Sequence, residues 1–192
     1  METKNILLIG VGGQGTILTS KILAAGLTKL GLDVKMSEIH GMSQRGGSVT
    51  TQIRYGQRVF APNIGLGEAD IVVAFEKAEA LRALPYLKKG GLIVTDDREI
   101  YPVTVLMGAA EYPHDAIEQM QQTGVPVKVI SASRKAEELG SIRAQNICLL
   151  GALVKSMDIS GINWFELVGE MVPAKARDLN VAAFNAGWEM IQ

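Results

Sequence analysis

The 192-residue sequence contains a single cysteine, Cys148, and two histidines, His40 and His114. One cysteine excludes an internal disulfide. It also excludes an iron-sulfur cluster ligated by this chain alone, because such a cluster takes about four cysteines. Two histidines far apart in sequence do not complete a zinc ligand set with one thiol. We therefore expect no metal site carried by this chain.

An excess of charge of one sign is also lacking, since 19 basic residues face 20 acidic ones and the formal charge is -1. No overall attraction to nucleic acid or to an anionic membrane follows from such a balance. The longest apolar runs, such as IVVAF and NICLLGALV, fall well short of the roughly 20 residues of a membrane helix. The N-terminus lacks the pattern of a secretory signal. We expect a cytoplasmic protein with neither nucleic acid nor membrane as partner.

The sequence alternates between short apolar runs and segments with helical spacing, and its 47% apolar content suits one sizeable core in a single domain, residues 1–192. Strands are predicted at 5–10, 33–39, 69–75, 91–96 and 125–131. Helices are predicted at 16–30, at 76–91 with an interruption at Pro85, at 114–123, and in several segments after Ser141. β-Branched residues on both sides of Tyr55-Gly56 predict a hairpin there. This order predicts an α/β fold: a doubly wound, Rossmann-like, mostly parallel sheet with an inserted β-hairpin and a helical C-terminal region.

The segment GVGGQG follows the first predicted strand and opens the first predicted helix, which is where a G-x-G-x-x-G pattern carries information. Glycines permit a tight turn, and the N-terminus of the following helix offers free N–H groups and a positive dipole end to a phosphate or carboxylate. Thr16 adds a hydroxyl group to this turn, and Gln14 adds a neutral amide. The alternative is that the glycines only allow close packing of strand and helix. The candidate binding residues here are Gly10, Gly12, Gly13, Gln14, Gly15 and Thr16.

Glu38 lies near the end of the second predicted strand, 23 residues after Gly15. In a dinucleotide-binding domain an acid at about this position holds the ribose 2′-hydroxyl. A nicotinamide or flavin site is therefore one interpretation, and a solvent-facing residue at the end of a strand is the other.

The second candidate region is the loop HGMSQRGG, residues 40–47, which leaves the second strand toward the same rim as the glycine turn. Arg45, flanked by glycines, can present its planar fork to a carboxylate or phosphate, and His40 can donate or accept a proton near neutral pH. Both are candidate catalytic residues, although they could equally satisfy carbonyls within the loop. The further candidate binding residues of the loop are Gly41, Ser43, Gln44, Gly46 and Gly47.

Three segments, NILLIGVGGQGTILTSKILAAG, KMSEIHGMSQRGGSV and APNIGLGEADIVVAFEKAEALRALPYLKKGGLIV, closely resemble the gamma-type domain of 2-oxoacid:ferredoxin oxidoreductases. The HGMSQRGG form is similar to that of the beta subunits in the indolepyruvate branch of this family. The resemblance covers nearly the whole chain. It implies oxidative decarboxylation of aryl 2-oxoacids to aryl-acetyl-CoA, with coenzyme A as co-substrate and ferredoxin as the electron acceptor.

The resemblance also implies thiamine diphosphate, magnesium and iron-sulfur clusters, and the residues place all three on a larger alpha subunit. This chain has no Gly-Asp-Gly motif followed by paired asparagines for thiamine diphosphate, and it lacks the cysteines for a cluster. We expect the chain to be inactive alone and to complete a pocket at a subunit boundary. Arg45 is the first candidate and His40 the second for binding an anionic portion of substrate or coenzyme A there.

Two alternatives remain open on the sequence. One is a stand-alone NAD(P)-binding Rossmann oxidoreductase, and the other is a purely structural subunit. The aromatic residues of the C-terminal helices suit either a core or a partner interface; these residues are Trp164, Phe165, Phe184 and Trp188.

Overall fold

The computed structural model describes residues 2–40 and 47–191, and in this part of the chain six strands form one sheet that is covered by helices. The strands are β1 (Lys4–Val11), β2 (Asp33–His40), β3 (Ser48–Gly56), β4 (Ala69–Ala74), β5 (Leu87–Asp96) and β6 (Val127–Ile130). The helices are α1 (Thr16–Lys29), α2 (Lys77–Ala83), α3 (Val103–Leu106), α4 (Ala116–Gln122), α5 (Ala132–Glu138), α6 (Gln145–Met157), α7 (Trp164–Met171) and α8 (Arg177–Glu189). Short 3₁₀ turns cover Leu84–Tyr86, Ile142–Ala144 and Ala174–Ala176.

The strand order across the sheet is β2-β3-β1-β4-β5-β6. Strands β1, β4, β5 and β6 are parallel to their neighbours in this series, whereas β3 is antiparallel to both β1 and β2. Parallel neighbours require crossover connections, and helices supply them. The predicted fold class, a doubly wound and mostly parallel α/β sheet with an inserted hairpin and a helical C-terminal region, is confirmed.

The hairpin lies elsewhere than predicted. Its two strands are β2 and β3, whose paired residues run from Asp33 opposite Gly56 to His40 opposite Val49. The prediction of a turn at Tyr55-Gly56 is wrong because β3 continues to Gly56 in the interior of the sheet, and no strand lies in 57–68, a stretch that is described throughout. Val59, one of the β-branched residues beyond Gly56, donates its N–H to the Asp33 carboxylate at 2.9 Å instead of pairing in a strand.

Two helical segments also differ from expectation. The helical pattern predicted for 76–91 ends with α2 and the turn at Pro85, since β5 already begins at Leu87. Helix α5 was not predicted, because its seven residues are too short to show a clear helical periodicity.

One face of the sheet carries the larger core, where α1, α6, α7 and α8 pack. Helices α6 and α8 approach at two glycines: a Cβ on Gly151 would lie 2.0 Å from the Phe184 carbonyl oxygen, and one on Gly187 would lie 1.8 Å from that of Cys148. Trp164 and Phe184 are buried here, which confirms the core interpretation for both. Phe165 and Trp188 are half-buried against the same cluster.

Among residues 2–40 and 47–191, no helix is both long and apolar enough to cross a membrane.

Candidate functional site

The glycine turn between β1 and α1 adopts the conformation that its sequence predicts. Gly13 and Gly15 have φ angles of 96° and 81°, in the left-handed region that favours glycine. Gly15 is the N-cap of α1, and no described side chain caps this helix end. The first turn of α1 also contains no acidic residue, so the positive end of the helix dipole is available to an anion.

Gln14 holds the turn in place. Its Oε1 accepts the N–H of Val11 at 2.7 Å, and its Nε2 donates to the Phe75 carbonyl oxygen at 2.8 Å. These bonds tie the end of β1 to the end of β4. Gly10 packs under the same side chain, since a Cβ there would lie 2.8 Å from Gln14 Oε1 and 2.9 Å from Phe75 Cβ. Gly10 and Gln14 therefore position the turn. Thr16, the first residue of α1, is buried.

The glycine turn, residues 10–15, meets the end of the loop 40–47, which we call the hairpin loop, at one rim of the sheet. The N–H of Gly12 donates to the carbonyl oxygen of Gly47 at 3.0 Å, and Val11 pairs with Ser48 where β1 and β3 adjoin. His40 ends β2, with its backbone opposite Val49. The other predicted loop residues lie outside the described residues; they are Gly41, Ser43, Gln44, Arg45 and Gly46.

Beside the turn lies a groove of about 720 Å³, which we call the cationic groove. Its lining joins the turn residues to two arginines, Arg98 after β5 and Arg143 before α6, neither of which belongs to the predicted site. Arg98 donates to Gln145 Oε1 at 3.0 Å. Two guanidinium groups beside an uncapped helix N-terminus are suited to a phosphate or carboxylate.

Asn146 lines this groove, and its side chain bonds to the glycine turn. Its Nδ2 donates to the Gly15 carbonyl oxygen at 3.2 Å, whereas its Oδ1 is buried and has no hydrogen-bond partner within the described part of the chain. A buried acceptor left unpaired is costly.

The buried carboxyl group of Asp96 is linked to Arg98 through the side chain of Gln145. Asp96 ends β5 and accepts from Gln145 Nε2 at 2.6 Å and from the Ser133 N–H at 2.9 Å. Gln145 Nε2 also donates to the Phe75 carbonyl oxygen at 2.8 Å. Burial, more than any other cause, raises the pKa of Asp96 to about 7. The same Gln145 amide group thus links Asp96 to Arg98.

Glu38 is not brought to the turn. It lies in β2 opposite Thr51 of β3, and β3 separates β2 from β1. Two strand spacings amount to about 10 Å, whereas the ribose-binding acid of a dinucleotide domain follows a strand adjacent to β1. This topology disfavours the nicotinamide interpretation of Glu38.

Cys148 is buried in α6, and burial raises the pKa of its thiol to about 12, as expected of an inert core cysteine. Within the described ranges, no group of three or more histidine, cysteine, aspartate or glutamate side chains could hold a metal ion. With one cysteine in the chain, the residues present do not fit an iron-sulfur cluster.

A topological rule could have identified Arg98 from the sequence. Ligands of doubly wound sheets bind beyond the carboxyl ends of the parallel strands, and Arg98 comes two residues after the predicted strand 91–96. Arg143 and Asn146 gave a weaker signal, since they precede an apolar helix and are equally suited to cap it.

The fold and the groove together define an α/β protein with two arginines beside a glycine turn at the carboxyl ends of its strands. The family model of pyruvate ferredoxin/flavodoxin oxidoreductase matches residues 5–190. The chain belongs to this family, and it is a subunit of a 2-oxoacid:ferredoxin oxidoreductase.

Relatives with similar sequences align with almost the whole length of this chain. The chain is 39% identical to indolepyruvate oxidoreductase subunit IorB of Pyrococcus horikoshii, over 97% of this chain and 95% of that protein. It is 38% identical to the subunit of the same name from Thermococcus kodakarensis, with the same coverage.

Solved structures share the fold. The gamma subunit of a keto/oxoacid ferredoxin oxidoreductase from Geobacter sulfurreducens superposes with a TM-score of 0.71 at 23% identity, covering 97% of each chain. The 2-oxoglutarate:ferredoxin oxidoreductase of Magnetococcus marinus gives a TM-score of 0.75 at 23% identity, covering 99% of this chain and 31% of that one.

Proposed function

We propose that this chain, acting as one gamma-type domain over residues 1–192, is the non-cofactor-bearing subunit of an enzyme that oxidatively decarboxylates aryl 2-oxoacids of the indolepyruvate class. The products are an aryl-acetyl-CoA and carbon dioxide, with ferredoxin accepting the electrons. The observation that carries the proposal is the cationic groove at the rim where Gly12 meets Gly47. Similarity to indolepyruvate oxidoreductase subunits at about 39% identity supports the substrate class.

Thiamine diphosphate, magnesium and iron-sulfur clusters belong to a larger alpha subunit in this proposal. The chain's contribution is electrostatic and geometric. Arg98 and Arg143 hold an anionic portion of substrate or coenzyme A against the N-terminus of α1, where charge-assisted hydrogen bonds are each worth roughly 1.5 to 3 kcal/mol.

The loop that ends at Gly47 contributes further groups to the pocket in this proposal. Arg45 adds a third guanidinium group for the anion, and His40 adds a group that titrates near neutral pH. Gly41, Ser43, Gln44, Gly46 and Gly47 supply hydrogen bonds and close backbone approach.

The deciding experiment is co-expression with a cysteine-rich large subunit, followed by an assay of indolepyruvate-dependent, coenzyme-A-dependent dye reduction. Activity of the complex together with inactivity of each separate subunit is the expected result. Turnover of a 2-oxoacid by the isolated chain would contradict it.

The two alternatives are separated by a ligand screen. Ligands that bind only the native state raise the melting temperature, so NAD and NADP should leave that of the isolated chain unchanged, and a rise with either one would favour a stand-alone oxidoreductase. A purely structural subunit would tolerate loss of Arg45 and His40 in the complex.

A further inference from the structure

A second cavity, of about 360 Å³, adjoins the cationic groove. One wall is α2, and the other is the segment 100–113, which we call the strap. Val11 and Ile100 line both this cavity and the cationic groove, so the two spaces adjoin. Ser48, the residue that follows the hairpin loop, also lines it.

The walls of this cavity are largely apolar. Leu81 of α2 faces it from one side, and Pro102, Val105 and Pro113 of the strap face it from the other. Its volume is near the lower end of the roughly 300 to 1,000 Å³ of small-molecule sites. A largely apolar space of this size can hold the ring of an aromatic side chain.

The floor of the cavity is acidic. Glu79 accepts from the Ser48 hydroxyl at 2.6 Å and from Arg82 at 2.9 Å. Glu76 accepts from the Glu79 N–H at 2.9 Å and from the Tyr112 hydroxyl. Both glutamates are buried, and burial raises the pKa of Glu79.

This charge distribution disfavours a ligand carboxylate in the cavity and favours a hydrogen-bond donor. The charged lining residues among those described are Glu76, Glu79, Glu111 and Arg82, with Arg82 already paired to Glu79. A carboxylate entering such a cavity would meet like charge without a free cation, whereas a ring N–H would meet acceptors. An aryl 2-oxoacid therefore fits with its ring under the strap and its anionic end toward Arg98 and Arg143.

We propose that the cavity under the strap receives the aromatic side chain of the 2-oxoacid or of its acyl product, and that it selects aryl acids over dicarboxylic ones. This inference rests on the proposed function. It assigns side-chain selection to this subunit and the redox chemistry to its partner.

The first test fills the cavity. Val105→Trp places a ring into it from the strap, and Val103→Trp places the same ring on the same short helix at a position 58% exposed and not among the cavity's lining residues. In the assembled complex, we expect V105W to raise the KM for indolepyruvate at least tenfold, with kcat and the KM for pyruvate changed less than twofold. V103W should behave like the wild type.

A second filling variant guards against misfolding. Ala110→Phe fills the cavity from the exposed end of the strap, and melting curves of each complex show whether it is assembled. A wild-type complex without aryl turnover would overturn the proposed function. Aryl turnover with an unchanged KM in the folded filling variants would overturn the aryl cavity alone.

The second test removes charge and keeps shape. Glu79→Gln retains the acceptor for Ser48, and we expect it to lower the inhibition constant of 2-oxoglutarate against indolepyruvate at least fivefold. Equal inhibition of the wild-type and variant complexes would contradict selection by charge.

Discussion

The N–H of Gly12 donates to the carbonyl oxygen of Gly47 at 3.0 Å, and this bond joins two glycine-rich segments that are 35 residues apart in sequence. Gly12 belongs to the turn that opens α1, and Gly47 ends the loop that follows β2. The backbones of the two segments are therefore in direct contact at this rim.

The strongest test of the hairpin loop is Arg45→Ala in the assembled complex. Loss of one charge-assisted contact of roughly 1.5 to 3 kcal/mol should lower kcat/KM by about 10- to 100-fold while subunit association is retained. Arg58→Ala is the matched control, because Arg58 is exposed and lies over the Phe60 ring. Unchanged kinetics in R45A would remove this residue from the site.

Arg143→Ala tests the cationic groove. Arg143 is exposed, so its removal should cost little stability. We expect the KM of the anion that the groove holds, indolepyruvate or coenzyme A, to rise about tenfold for one lost charge-assisted contact. Arg134→Ala serves as the control, because Arg134 is also exposed and its guanidinium lies 3.8 Å from Asp97. KM values for both compounds equal to those of the control would show that the anion is held elsewhere.

Gly15→Ala and Gly13→Ala separate backbone strain from crowding. Both positions have positive φ, so alanine costs about 1–2 kcal/mol of free energy of unfolding at either. At Gly15 the new Cβ would also lie 2.6 Å from Asn146 Nδ2, whereas at Gly13 no described heavy atom lies within 4 Å. Thermal unfolding should show the larger loss for G15A. Equal melting temperatures would mean that Asn146 moves away without cost.

Asp96→Asn tests the buried carboxyl group through the pH dependence of stability. The pKa of Asp96 is raised from 3.8 to about 7 in the native state, so the folded protein binds this proton more tightly than the unfolded chain. The resulting stabilisation is complete below about pH 4 and is lost as the pH rises through about 7. Asparagine stays neutral, and its amide can still accept from Ser133 and Gln145.

We therefore expect the melting temperature of D96N to fall less than that of the wild type between about pH 5 and about pH 8. Asp178→Asn, at an exposed position in α8, should follow the wild-type curve. Parallel curves for D96N and the wild type would contradict a raised pKa in the native protein.

Predictability from the sequence differed between elements for identifiable reasons. The β1–α1 turn was predictable because a buried strand, a glycine pattern and a helix are adjacent in the chain, and the positive φ of Gly15 follows from them. The hairpin was misplaced because β-branched residues on both sides of Tyr55 indicate extended backbone but not a strand's partner. The carboxyl end of the predicted strand 91–96 marks Arg98 as a candidate, but only the tertiary structure shows that Arg98 lines the same groove as the glycine turn.

The sequence by itself determined that this chain carries one cysteine, an α/β element order and two glycine-rich segments, because these depend on composition and on local spacing. The tertiary structure decided that β3 lies between β2 and β1, that the two segments meet at Gly12 and Gly47, and that Arg98, Arg143 and Asn146 surround the turn. The physical reason is that strand pairing and side-chain convergence join residues far apart in the chain, and local spacing carries no information on which of them meet.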